Sequence, residues 1–361
     1  MEEKKHLFPY KWTLKDAIFT KDKGKVFSCF ACGGGSTMGY KLAGFDVLGC
    51  NEIDPKMMEA YKINHNPKYA YLEPIQTFKL RDDLPDELYR LDILDGSPPC
   101  SSFSMAGNRE KDWGKDKVFR EGQSMQVLDT LFFDFIDLAK KLQPKVVVAE
   151  NVAGLMMGAA KEYVKKIYTS FQEAGYELKI EPYLLDASTM GVPQKRKRVF
   201  FIAMRKDISF NFMEQVDMFQ FAPKLDLNFN EKLIRFGEYR EDIGSKNGVS
   251  EERKRLLGLC IQSDKCISDI NERENGKVSG FNALIIKDNE VCPTITSGEK
   301  NYRYYDKLSM TDGDYKLTGS YAFDYNFNGN DVKYLVGMSV PPVMTAQIAT
   351  RIYNQWLSKL T

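Results

Sequence analysis

Val26-Phe27-Ser28-Cys29-Phe30-Ala31-Cys32-Gly33-Gly34-Gly35-Ser36-Thr37-Met38-Gly39 begins as an apolar run and breaks into glycines. The run reads as a buried strand, and the glycines as a loop in which backbone can approach a ligand closely. Tyr40-Lys41-Leu42-Ala43-Gly44-Phe45 then ends a short helix at Gly44. Asp46 to Asn51 is a second strand, closed by Glu52-Ile53-Asp54. Strand, glycine loop, helix, strand and acid make a nucleotide-type βαβ unit, so the fold is α/β with a doubly wound, largely parallel sheet. The acid can hold two ribose hydroxyls. No Gly-Lys-Ser/Thr follows the glycines, and their spacing does not give G-x-G-x-x-G. An adenosine-bearing cofactor without phosphates fits better than a nucleotide with a pyrophosphate. Cys29-x-x-Cys32 invites a redox or zinc reading, but Cys260 and Cys266 have the wrong spacing for a second pair. Both cysteines are expected to pack as small apolar residues.

Further along, Leu91-Asp92-Ile93-Leu94 reads as a strand end that runs into Gly96-Ser97-Pro98-Pro99-Cys100-Ser101-Ser102-Phe103-Ser104. Two prolines neither donate to a ladder nor continue a helix, so they fix the chain just before Cys100. A cysteine on such a loop is placed to act as a thiolate. A rigid turn with an incidental cysteine is the plain alternative. Gly107 to Lys115 is polar and glycine-bounded, which suits either a lid beside a reactive group or a solvated linker.

Gln126 to Leu142 has the period of a helix with one buried face. Lys145 to Ala149 reads as a central parallel strand ending in Glu150-Asn151-Val152, where open α/β sheets bind ligands. A helix over 159–174, a strand over Tyr176–Leu185, a loop over Ser188–Lys197 and a strand over Arg198–Met204 follow. Within Gln194-Lys195-Arg196-Lys197-Arg198, strand alternation turns Arg196 and Arg198 the same way, which suits carbonyl or phosphate recognition. A solvated basic turn is the alternative.

Composition sets limits on all this. The chain has 361 residues and a net charge of +1, so no global basic field marks a nucleic-acid partner, and such binding must come from local patches. Seven cysteines with no disulfide-like framework point to reduced thiols in a cytosolic compartment. With two histidines, a His-based triad or a multi-His metal site is excluded in practice, and no resident metal is expected. No signal peptide or membrane-spanning run is expected. From about residue 206 the βα alternation gives way to aromatic, Asn-rich and charged pieces. We divide the chain into 1–205, 206–325 and 326–361, the last being a helix over Val343–Leu360 that returns to the first domain.

Taken together, the glycine loop with its acid, Pro-Pro-Cys, Glu-Asn-Val, Gln-x-Arg-x-Arg and the closing Gly337-Met338-Ser339-Val340-Pro341-Pro342 resemble the C5-cytosine methyltransferases of DNA, bacterial or phage type. The resemblance implies a Rossmann-like domain that uses S-adenosylmethionine, with a smaller target-recognition domain over 206–325. It implies Cys100 as nucleophile and Glu150 as the acid beside the ring. Arg198 would hold the base O2 with Arg196 as neighbour, and the Pro98 carbonyl would accept from the exocyclic amine. Phe30, Gly33, Gly35, Glu52, Ile53, Ile75, Pro99, Leu131 and Ser339 would bind the cofactor. Cys32, Pro74 and Met338 stand where the family commonly has Gly, Asp and Asn. The implied substrate is cytosine flipped out of duplex DNA, with residues 101–117 as lid. A cognate restriction endonuclease is the implied partner, and the expected protein is monomeric and located in a bacterial or phage-infected cytoplasm. A tRNA cytosine-5 methyltransferase, a non-catalytic DNA-binding relative and, more remotely, a Rossmann oxidoreductase are the competing readings.

Overall fold

The structure is a computed structural model that describes residues 6–99, 116–117, 126–127, 130–157, 160–216, 218, 220–276, 278, 283–296, 298 and 300–360. The chain divides into two compact units built from discontinuous segments. One comprises Ile18–Asp186, Lys197–Asn228 and Thr345–Thr361; the other comprises Met1–Ala17, Ala187–Arg196 and Phe229–Met344.

The first unit carries the sheet. Its strands are β1 (Lys25–Cys29), β2 (Asp46–Glu52), β3 (Tyr69–Leu72), β4 (Ile93–Gly96), a small pair β5 (Asp116–Lys117) and β6 (Gln126–Val127), then β7 (Val146–Val152), β8 (Tyr176–Glu177), β9 (Tyr183–Asp186) and β10 (Lys197–Arg205). The eight-stranded sheet runs β3-β2-β1-β4-β7-β10-β8, with β9 also on β10. Pairings from β3 through β7 are parallel. β10 runs antiparallel to β7, and β8 and β9 run antiparallel to β10. The sheet order reverses between β1 and β4, and ligands of open α/β sheets bind beyond the strand ends at such a point. The doubly wound expectation therefore holds.

Helices α1 (Gly35–Leu42), α2 (Pro55–His65), α3 (Ile75–Phe78), α4 (Leu131–Leu142) and α5 (Ala160–Glu173) accompany these strands. Phe27, Leu94, Val147 and Phe201 share a buried core with Leu131, Phe135 and Leu138 of α4 and Ile167 and Phe171 of α5. Each such side chain contributes roughly 1.5–3 kcal/mol on burial, before the entropy cost of ordering it. Gly96 is needed where α4 crosses the sheet, because a Cβ there would lie 2.5 Å from the Phe135 ring. In the same unit, Tyr353 meets Phe45 edge to face at 6.2 Å, and Trp356 donates to the Lys224 carbonyl at 2.7 Å.

Two expected elements differ. The helix expected from Gln126 begins at Leu131, because Gln126–Val127 pairs with Asp116–Lys117 instead. Periodicity alone does not reveal such a competing partner. The strand expected over Tyr176–Leu185 is two short strands, β8 and β9. Pro182, which has no N–H to offer a ladder, falls in the break.

The second unit has helices Glu251–Gly258 and Ile267–Asn275 around Leu256, Leu257, Ile270 and Ile285. Arg303, fully buried there, pairs with Asp306 at 3.0 Å and Asp314 at 3.4 Å. Among the described residues, no helix is long and apolar enough to cross a membrane.

Candidate active site

Register decides what meets at the carboxyl edge of the sheet. Cys29 at the end of β1 pairs with Asn51 of β2 and with Gly96 of β4, and Gly96 pairs in turn with Ala149 of β7. The glycine loop, Glu52, the Ser97-Pro98-Pro99 turn and Glu150 therefore leave neighbouring strands on one edge. β10 is antiparallel, so its beginning, not its end, reaches this edge: Arg198 stands opposite Val152 and Phe200 opposite Glu150.

Arg198 Nε lies 2.9 Å from Glu150 Oε1, with both side chains mostly buried. Burial lowers the Arg198 pKa, while the Glu150 carboxylate and its hydrogen bond work against that fall. Next to Glu150, Asn151 donates from Nδ2 to the Pro98 carbonyl at 3.2 Å, and its Oδ1 accepts from Val152 N at 2.8 Å. The sequence marks Asn151 only as part of Glu-Asn-Val, and its bond to the turn is visible only in the structure. Cys100 and the expected lid, residues 101–117, lie outside the described residues apart from the backbone of Asp116–Lys117.

Arg196 precedes β10, so strand alternation does not pair it with Arg198. Its buried guanidinium donates to the Ile295 carbonyl at 3.2 Å and the Gly337 carbonyl at 2.8 Å. Ser339 caps helix Val332–Met338 in that same unit, donating its hydroxyl to Leu335 O at 2.7 Å.

On the glycine-loop side, Phe30 and Cys32 both have left-handed φ, +53° and +48°, and Gly34 follows at +89°. That turn brings Cys32 N within 2.7 Å of Glu52 Oε2, while Glu52 Oε1 accepts from Ile53 N at 2.8 Å and Asp54 N at 2.9 Å. Burial raises the Glu52 pKa and these backbone bonds oppose the rise. A carboxylate has about four acceptor positions, so Oε2 keeps acceptor capacity for ribose hydroxyls. Phe30 packs beside Phe135 at 6.4 Å, and Ile75 and Leu131 are buried. A carboxylate with a spare acceptor, an open-backbone loop and apolar neighbours suit the adenosine part of S-adenosylmethionine.

One carboxylate went unnoticed in the sequence. Asp95, on β4, is buried and accepts from Ser28 Oγ at 2.7 Å, Ser36 Oγ at 2.6 Å and Tyr40 OH at 3.1 Å. Burial pushes it up to about 6 against the pull of those three hydroxyls. The available signal was an acid directly after the apolar pair Ile93-Leu94 and before Gly96, because buried charge needs partners.

Known proteins similar to this chain point to one family. Residues 24–354 match the family C-5 cytosine-specific DNA methylase. The Type II methyltransferase M.DdeI of Desulfomicrobium norvegicum is 33% identical over 382 residues, covering 91% of this chain and 88% of that protein. M.FnuDI of Fusobacterium nucleatum is 36% identical over 190 residues, 53% of this chain and 49% of that protein. With M.FnuDI and the similar M.NgoPII of Neisseria gonorrhoeae, the match spans about half the relative's length. Among solved structures, a DNA modification methyltransferase encoded within an E. coli prophage superposes with a TM-score of 0.63 at 20% identity, covering 92% of this chain and 99% of that one. Dnmt2 of S. pombe gives 0.55 at 16% identity, covering 91% and 98%. These structural likenesses establish the fold. The length of the family match and the near-complete alignment with M.DdeI establish more: this chain belongs to the C-5 cytosine-specific DNA methylase family.

Proposed function

We propose that this protein transfers a methyl group from S-adenosylmethionine to C5 of a cytosine flipped out of a specific duplex DNA sequence. The observation that carries the reading is the Glu150–Arg198 pair at 2.9 Å on the strand end next to the Pro98-Pro99 turn. An acid, a guanidinium and a backbone carbonyl on one edge match the N3, O2 and exocyclic amine of cytosine in kind.

Cytosine C5 is a weak nucleophile. The Cys100 thiolate adds to C6, and the charge this places on the ring is met at N3 by a proton from Glu150, which has to carry a proton taken from solvent when it donates. Arg198 holds O2 and keeps Glu150 oriented. The Pro98 carbonyl, with a lone pair beyond the one Asn151 uses, accepts from the amine and disfavours thymine, whose O4 cannot donate. Glu52, Phe30, Gly33, Gly35, Ile53, Ile75, Pro99, Leu131 and Ser339 would hold S-adenosylmethionine, which would supply an electrophilic methyl group. C5 takes that methyl, loses its proton to a base, and the Cys100 sulfur leaves. Arg196 acts by holding the backbone at Ile295 and Gly337 rather than by touching the base. Flipping costs a few kcal/mol of unstacking, offset by pocket contacts. Segment 206–325 reads base edges in the major groove.

The relatives' designation as Type II methyltransferases supports a place beside a restriction endonuclease that acts on the same site. We assign a monomer working on DNA in the bacterial or phage-infected cytoplasm. Incorporation of tritiated methyl into duplex DNA, abolished by Cys100→Ser, tests the proposal. Incorporation into tRNA alone would move the assignment to RNA. Failure to bind S-adenosylmethionine would leave a non-catalytic DNA-binding relative.

A further inference from the structure

Asp95 is an expensive residue in its position. It is 4% exposed on a central strand, and burial, together with the Glu150 carboxylate, disfavours its charge. An aliphatic side chain would pack there without that cost. What the carboxylate does is gather three hydroxyls from two elements: Ser28 of β1 onto Oδ2, Ser36 of α1 also onto Oδ2, and Tyr40 of α1 onto Oδ1. Ser36 follows Gly35 directly, so the bond at 2.6 Å clamps the exit of the glycine loop to β4. Asp95 is likewise one residue before Gly96 and three before Pro98.

We infer that Asp95 is a positioning residue: through Ser36 and Tyr40 it fixes the glycine loop, which takes the cofactor, against the strand that carries the Pro98-Pro99 turn. The inference rests on the methyltransferase reading given above. Its consequence is specific. Without the carboxylate, the loop is no longer held in the shape that receives the cofactor, and cofactor affinity falls more than the rate at saturation.

The test is calorimetric binding of S-adenosylhomocysteine alongside KM for S-adenosylmethionine and kcat, for wild type, Asp95→Ala, Asp95→Asn and Ser36→Ala. Asp95→Ala is expected to weaken binding about tenfold or more, with KM rising in parallel and kcat falling less than about threefold. Asp95→Asn, which keeps the shape and an acceptor oxygen, is expected to recover most of the affinity. Should Asp95→Ala fail to fold, Ser36→Ala carries the test with an expected loss of about threefold or more. Unchanged affinity in a folded Asp95→Ala or in Ser36→Ala overturns the inference, as does a fall confined to kcat. A wild-type protein that binds no S-adenosylhomocysteine overturns the methyltransferase reading itself, and the inference with it.

Discussion

Asn151 donates its side-chain amide to the carbonyl of Pro98 across 3.2 Å, tying the end of β7 to the turn that leaves β4. Removing it frees the residue before Pro99 just where a backbone carbonyl is to meet the base. Asn151→Ala is expected to lower kcat about tenfold, the effect of one buried hydrogen bond of about 1–1.5 kcal/mol, while KM for the cofactor changes little. Steady-state methyl transfer at saturating DNA measures this. An unchanged kcat would mean that the turn is held by other contacts.

Arg198 and Glu150 form an ion pair that is largely removed from water, with side-chain exposures of 15% and 11%. Truncating one partner leaves the other desolvated without its counter-charge. Arg198→Ala is expected to cost roughly 3 kcal/mol of folding stability in urea denaturation, as well as activity. Arg198→Lys is expected to restore stability only partly, because an ammonium does not reproduce the guanidinium fork. A loss below about 1 kcal/mol in Arg198→Ala would place the pair with ordinary surface bridges.

Asp95 gives a pH signature with a definite sign. Its folded-state value, pushed up to about 6, lies above the ordinary 3.8. Between those values the folded protein holds a proton that the unfolded chain has released, so stability falls as pH rises through the window. The charge costs roughly 3 kcal/mol above about pH 6 and nothing below about pH 4. Asp95→Asn removes this titration. Its stability relative to wild type is expected to rise by that order between about pH 4 and about pH 7. Denaturant curves at the two ends check it, and a difference independent of pH would contradict the burial argument.

Cys32 adopts φ +48°, a left-handed conformation that suits glycine better than a residue with a Cβ. Its backbone N–H donates to the Glu52 carboxylate, a bond that does not need the Cys32 side chain. Cys32→Gly is therefore expected to keep that bond and to stabilise the protein by about 0.5–1 kcal/mol, whereas Cys32→Ala does not stabilise it. Thermal unfolding of the two variants decides the matter, and equal melting temperatures would contradict it.

The sheet was legible because β1, β2 and β7 are apolar runs bounded by glycine or acid, and because parallel buried strands leave that pattern. Glu52 and Glu150 could be placed because both end such runs. What alternation could not supply was the direction of β10 or the point at which it begins. Arg198 reaches Glu150 because that strand is antiparallel, and Arg196 falls just before its start. Likewise, the three hydroxyls on Asp95 come from residues up to 67 positions away in sequence. Such a cluster is set by strand order, which local periodicity does not encode. The Gln126–Val127 segment shows the converse, since a fitting helical period yielded to a strand partner.

The proposed methyl transfer requires a covalent bond between the Cys100 sulfur and the target ring. Duplex DNA carrying 5-fluorocytosine at the methylated position, incubated with protein and S-adenosylmethionine, blocks the final proton removal and so preserves that bond. The expected result is a denaturation-resistant protein–DNA adduct whose attachment maps to Cys100, absent from Cys100→Ser. A wild-type protein that methylates the unmodified site and yet forms no adduct on the fluorinated one would contradict it.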